Sequence, residues 1–143
     1  MKLFTIGYEK RDIAEFVDIL LKNRVETVID IRAVPHSRNR DYTKNHLEKT
    51  LSENNIDYLL KKELGSEKEL RDKVRSDGDY EQFFKRYDEA LRDKAGLVDE
   101  LSTIAKKNRA CLLCYEADFN KCHRRSVAEA MAALNGKLKI THL

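Results

Sequence analysis

The run Cys111-Leu-Leu-Cys114-Tyr-Glu116-Ala-Asp118-Phe-Asn-Lys-Cys122-His123-Arg124-Arg125-Ser126 gathers thiols, carboxylates, an imidazole and two guanidiniums in one short stretch. Its first part is apolar enough to be a strand, and its end opens a helical pattern. Cys114 and Glu116 are therefore expected at the exposed end of a strand. Cys122, His123 and Arg124 fall in the first turn of a helix, where unpaired N–H groups favour negative charge. Cys114 or Cys122 suits a nucleophile or a metal ligand, and Cys122 beside His123 and Arg124 predicts a lowered thiol pKa. The competing reading of Cys122 is a thiol packed under the loop. Glu116 and Asp118 offer general acid and base, or else they cap the helix and hold Arg124. Glu116 lies nearer the strand end and is the better catalytic candidate, while Asp118 belongs to the turn. His123 can move a proton or cap a carbonyl; His36, His46 and His142 have no comparable surroundings in the sequence.

The spacing Cys111-x-x-Cys114 suggests a zinc knuckle, but three residues along a strand reverse the face, so the two sulfurs diverge. Cys111 is expected in the core. Cys114, Cys122 and His123, brought together across the strand-to-helix junction, form the easier set for a divalent metal.

A second concentration of chemistry is the loop Arg32-Ala-Val-Pro-His-Ser37-Arg38-Asn-Arg40. Arginine forks and a serine hydroxyl suit a phosphate or carboxylate, which makes Arg32, Ser37 and Arg38, with Arg124, candidate anion ligands. Asp30 and Arg32 close a buried strand, where an isolated charge is costly unless it is paired or used. The plainer alternative pairs Arg32 with Asp30 or Glu116 as a buttress and leaves Arg38 and Arg40 solvated.

These residues need a scaffold. Leu3 to Ile6 reads as a strand ending in Gly7, and Asp12 with Glu15 caps a helix through Ile13, Phe16, Val17, Leu20 and Leu21. Thr27 to Ile31 is a second strand, Thr43 to Asn54 a helix and Ile56 to Leu60 a third strand. The next strand, Ala110 to Tyr115, comes only after three helical patterns: one capped by Ser66 with Glu69, one striped by Tyr80, Phe83, Phe84, Tyr87 and Leu91, and one by Leu97, Val98, Leu101, Ile104 and Ala105. A helix through Val127, Ala130, Met131 and Leu134 stops at Asn135-Gly136, and Leu138 to His142 closes the sheet. The alternation predicts an α/β fold: a mostly parallel sheet of about five strands covered by helices, with a long helical crossover between the third and fourth strands. Ligands of such sheets bind beyond the carboxyl ends of the strands, where Gly7, Asp30, Arg32, Glu63 to Gly65, Cys114 and Glu116 fall.

The 143 residues fit one domain, 1–143, with a core that needs no staples. Three cysteines are an odd number for a disulfide framework, and Met1 to Ile6 is too short for a signal-peptide apolar region, so a cytoplasmic protein is expected. No apolar run approaches the roughly 20 residues of a membrane span. A net charge of +3 with acidic and basic residues interleaved does not by itself point to nucleic acid.

Thr5-Ile6-Gly7-Tyr8, Asp30-Ile-Arg32-Ala-Val-Pro35-His-Ser37-Arg38, Tyr58 before Glu63-Leu64-Gly65, and Leu113-Cys114-Tyr-Glu116 followed by Cys122-His123-Arg124 together resemble, from end to end and in order, the bacterial and archaeal group called domain of unknown function 488. Two positions depart from it: Tyr8 stands where many relatives have a histidine, and Gly65-Ser66 replaces a double glycine. The resemblance implies no particular activity. A weaker likeness is to rhodaneses and cysteine phosphatases, which also place aspartate-x-arginine after one strand and a cysteine loop before a helix. Here Cys114 is eight residues from Cys122, and Cys122 leaves no loop to wrap a phosphate, so that likeness stays at the level of the fold. Three functions follow as expectations. The first is an enzyme acting on a phosphorylated or otherwise anionic small molecule, nucleotide or nucleic-acid component. The second is a noncatalytic nucleic-acid-binding module whose Arg32 to Arg40 loop and Arg124-Arg125 form a basic edge, with Tyr42 and Tyr115 the only obvious stacking candidates. The third is a metal- or redox-responsive Cys/His domain. A homodimer through Phe83, Phe84 and Tyr87 is a further expectation, set against plain core packing.

Overall fold

The computed structural model describes all residues, 1–143. Five parallel strands form one sheet: β1 (Lys2–Gly7), β2 (Thr27–Asp30), β3 (Asp57–Leu60), β4 (Ala110–Cys114) and β5 (Lys139–His142), in the order β3-β2-β4-β1-β5. The helices are α1 (Ile13–Lys22), α2 (Lys44–Glu53), α3 (Lys68–Asp77), α4 (Tyr80–Arg92), α5 (Ala95–Lys107) and α6 (Arg124–Leu134). The α/β class and the helical crossover between the third and fourth strands are as the sequence predicts.

The strand order dictates the layers. From β1 to β3 the chain steps one way across the sheet, and from β3 to β5 it steps back. Right-handed crossovers then put α1 and α2 on one face and α3 to α6 on the other. Two cores result. Phe16, Val17 and Leu20 of α1 with Leu47 and Leu51 of α2 cover Phe4, Ile6, Val28, Cys111 and Leu113. The larger core packs α3 to α6 against Leu3, Ile29, Ile31 and Leu112. Alternate residues of each strand thus enter opposite cores. Cys111 accordingly lies in the first core, fully buried.

Phe83, Phe84 and Tyr87 are buried within the chain's own larger core, so packing accounts for them without a second copy. No helix is long and apolar enough to cross a membrane. Asp12 caps α1 as expected, accepting the Glu15 N–H at 2.8 Å. The cap expected at Ser66 does not form: α3 begins at Lys68 behind an extended Glu67, without a side-chain cap. Gly65 is pressed so close to Ala33 that a Cβ there would lie 2.3 Å from its backbone. That contact holds the neighbouring Ser66 in the interior, and the helix starts later. Asp79 caps α4, accepting the Gln82 N–H at 3.0 Å.

β4 sits between β2 and β1, both of which send the chain to the opposite face from the one β4 feeds. Open α/β sheets receive ligands at such reversals, and the carboxyl end of β4 is flanked by two reversals.

Candidate functional site at the end of the central strand

Beyond Cys114 the chain runs out through Tyr115 to Asp118, makes a single 3-10 turn at Phe119–Lys121 and re-enters the fold at α6. Arg124 folds this loop back. Its guanidinium donates to the carbonyls of Glu116 and, at 3.2 Å, Ala117, and its Nε–H donates to Thr5 Oγ1 at 3.1 Å. The Thr5 hydroxyl meets His142 Nδ1 at 2.6 Å, and the His142 ring stacks on Phe119 with centroids 3.7 Å apart. From the other side, the Ala117 N–H donates to Glu9 Oε1 at 3.0 Å.

The fold-back returns Cys122 and His123 to Cys114. Cys114 Sγ, Cys122 Sγ and a ring nitrogen of His123 lie within 4.8 Å of one another. His123 Nδ1 is 3.6 Å from Cys114 Sγ and 3.9 Å from Cys122 Sγ. His123 Nε2 lies 2.8 Å from the Ile31 carbonyl. A carbonyl only accepts, so Nε2 carries the proton and the lone pair falls to Nδ1; with Nε2 itself 4.0 Å from Cys114 Sγ, that sulfur lies beside the ring rather than along the Nδ1 lone pair. The Cys114 thiol donates to Glu116 Oε2 at 3.3 Å. Cys114, Cys122 and His123 are 4 %, 1 % and 4 % exposed, whereas Glu116 is half-buried and closes the cluster on its outer side. Tyr87 packs on His123, with ring centroids 5.3 Å apart, and donates its hydroxyl to the Leu64 carbonyl at 2.6 Å.

The Arg124 N–H at the start of α6 reaches Cys122 Sγ at 3.5 Å, the stabilisation expected of a helix N-terminus. The lowered Cys122 pKa that the sequence predicts does not follow. Burial pushes the thiol well above its usual value, and neighbouring Cys114 adds to the rise. On His123, burial disfavours the charged form, but Cys122, the Ile31 carbonyl and Glu116 outweigh it and set the balance above the ordinary imidazole value.

The anion-binding set is arranged differently from the expectation. Asp30 and Arg32, 0 % and 5 % exposed, close on each other: Nε meets Oδ1 at 2.9 Å and Nη2 meets Oδ2 at 2.7 Å. Arg32 Nη1 donates to the Tyr42 carbonyl at 2.8 Å and the Tyr8 hydroxyl at 3.3 Å, while the Tyr58 hydroxyl donates to Asp30 Oδ2 at 2.5 Å. This is the buttress alternative, and it leaves Arg32 no open fork for a ligand. Arg124 is fully buried and donates to the Thr5 hydroxyl and to the Glu116 and Ala117 carbonyls, so it organises the loop. Gly7 is likewise a packing position: a Cβ there would fall 1.8 Å from the Glu116 carbonyl oxygen. Ser37 accepts the Asn39 N–H at 3.1 Å on the outer loop, where Arg38 is exposed. Asp118 accepts the Asn120 N–H at 2.9 Å and belongs to its turn. Tyr42 is fully buried and offers no stacking face, in contrast to the exposed Tyr115.

The sequence gives Thr5 and His142 no site role. They are direct partners in the β1–β5 register, 137 residues apart, and only that pairing brings them together. The Ile31 carbonyl is equally silent in the sequence, because any residue type supplies one.

Neither the search of curated proteins nor that of solved structures returned a match. A family model described as Domain of unknown function DUF488 matches residues 12–131 of the 143, a span that holds Asp30, Arg32 and the whole Cys114–His123 cluster. The protein therefore belongs to the DUF488 family.

Proposed function

We propose that the chain is an enzyme-like domain that acts on a small molecule received at the carboxyl end of β4. Cys114 and Glu116 face the substrate, and Cys122 and His123 stand behind them. The observation that carries this reading is the meeting of two thiols, an imidazole and a carboxylate around Cys114 Sγ, beside a reversal of chain direction of the kind at which α/β sheets receive ligands. A core needs none of these groups, and apolar side chains would fill the space without leaving polar groups to satisfy. An anionic moiety on the substrate would be met only by the outer loop with Ser37 and Arg38, because Arg32 and Arg124 have their donors engaged inside the protein. The nucleic-acid reading loses support with Tyr42 buried.

The test is a metabolite pool incubated with the protein and followed by mass spectrometry, with binding mapped by NMR. The expected result is a substrate that the wild type depletes and both Glu116→Gln and Cys114→Ser spare, with shifts at residues 30–33 and 114–117. Full turnover in both variants, or binding mapped to another face, would overturn the proposal.

A further inference from the structure

We infer that Cys114, Cys122 and His123 are three ligands of a single divalent cation of the zinc class, with Glu116 at the edge of the fourth position; this deepens the reading of the β4 end as the working centre.

The distances support it. A tetrahedral ion with metal–sulfur bonds of about 2.3 Å and a metal–nitrogen bond of about 2.0 Å sets a sulfur and a nitrogen ligand on the order of 3.5 Å apart. His123 Nδ1 lies 3.6 and 3.9 Å from the two sulfurs, and because Nε2 is also 4.0 Å from Cys114 Sγ, an ion is bound once the ring turns its Nδ1 lone pair toward the pair. The second observation is the ring's other nitrogen. A ligating histidine ordinarily gives its remaining N–H to a carbonyl or carboxylate, which fixes the tautomer and frees the other lone pair. The Ile31 carbonyl, 2.8 Å from Nε2, does that here. Ile31 follows β2, Cys114 ends β4, and Cys122 and His123 precede α6, so the set is built by the tertiary fold and not by a local hairpin.

Ligand type selects the ion. Two thiols with one imidazole favour zinc-class metals over magnesium or calcium, which seek oxygen. Binding converts both thiols to thiolates and releases two protons per ion, so the charge of the cation is balanced within the buried set. The fourth position faces outward, where Glu116 Oε2 already stands 3.3 Å from Cys114 Sγ. Three buried ligands with a solvent-side carboxylate match the open pattern of catalytic sites rather than the closed one of structural sites. Such an ion supplies Lewis-acid activation of water or a carbonyl.

The experiment uses the full chain, reduced and free of chelator, titrated with cobalt(II) and then displaced with zinc. The expected result is one ion per chain, a thiolate-to-cobalt charge-transfer band with tetrahedral ligand-field bands, and two protons released per ion. Cys114→Ser and Cys122→Ser are expected to weaken binding by more than the roughly 10- to 100-fold that loss of an outer-shell partner costs. Cys111→Ala leaves binding unchanged, and Glu116→Gln keeps the charge-transfer band while altering the ligand-field bands. X-ray absorption on the zinc-loaded wild type counts two sulfur neighbours without relying on any variant. An ion bound without sulfur neighbours, binding undiminished in both serine variants, or no stoichiometric uptake would overturn the inference. Substrate turnover by metal-free protein would remove the metal and keep the enzyme. Stoichiometric metal with no substrate at the β4 end would do the reverse.

Discussion

Arg32 lies over the Tyr8 ring, 5.2 Å from its centroid, with its fork closed on Asp30, so its removal leaves a buried carboxylate with Tyr58 as its remaining side-chain partner. Breaking one side of such a pair costs about 3–5 kcal/mol, because an uncompensated charge stays inside. Arg32→Ala is expected to lose that much in urea unfolding, and Asp30→Ala/Arg32→Ala is expected to lose less than the two single changes summed. Additivity would show that the two residues are not a unit. Their spacing was legible: residues two apart in extended chain share a face, which is why pairing stood beside anion binding as a reading. Tyr58, Tyr8 and the Tyr42 carbonyl complete the network from other elements, and that completion decides between the two readings.

At the scale of elements, the loop after β4 is held by packing as much as by hydrogen bonds. Gly7→Ala drives a methyl into the Glu116 carbonyl, and strain of this kind costs typically about 1–3 kcal/mol. The expected outcome is a lower Tm together with a more reactive Cys114 thiol, as the loop is pushed off the cluster. Gly96 supplies the contrast, since it lies in α5 with nothing within 4 Å of an added Cβ. Gly96→Ala, in the first turn of α5, is expected to stabilise by less than the about 0.5–1 kcal/mol the change gives in a helix interior. Equal effects at the two glycines would contradict the close approach. The helices and strands themselves were readable because apolar periodicity is a local property. The start of α3 was not, because Gly65 and Ala33 meet across the fold.

For the whole molecule, β5 adds a titratable latch to the loop clamp. Burial lowers the His142 pKa from 6.5, and the charges of Arg124 and Arg125 lower it further. The unfolded chain therefore binds this proton more readily, and the His142 contribution to stability falls as pH drops through 6.5, levelling off below the depressed folded value, while His123, whose folded value is raised, contributes with the opposite sign. His142→Gln is expected to flatten that part of the slope in urea midpoints compared between neutral and mildly acidic buffer. Identical slopes in the two proteins would exclude this role for His142.

The sequence by itself determined the α/β class, the helical crossover, the divergence of Cys111 from Cys114 and the run in which the chemistry is concentrated. All of these follow from period, composition and spacing along the chain. Only the tertiary structure decided that Arg32 and Arg124 are internal braces, that His142 latches the loop through Thr5, and that Cys122 and His123 return to Cys114 beneath the Ile31 carbonyl. The physical reason is that a buried donor takes whichever acceptor the strand order sets beside it, and the order β3-β2-β4-β1-β5 arises from packing two helical layers against one sheet.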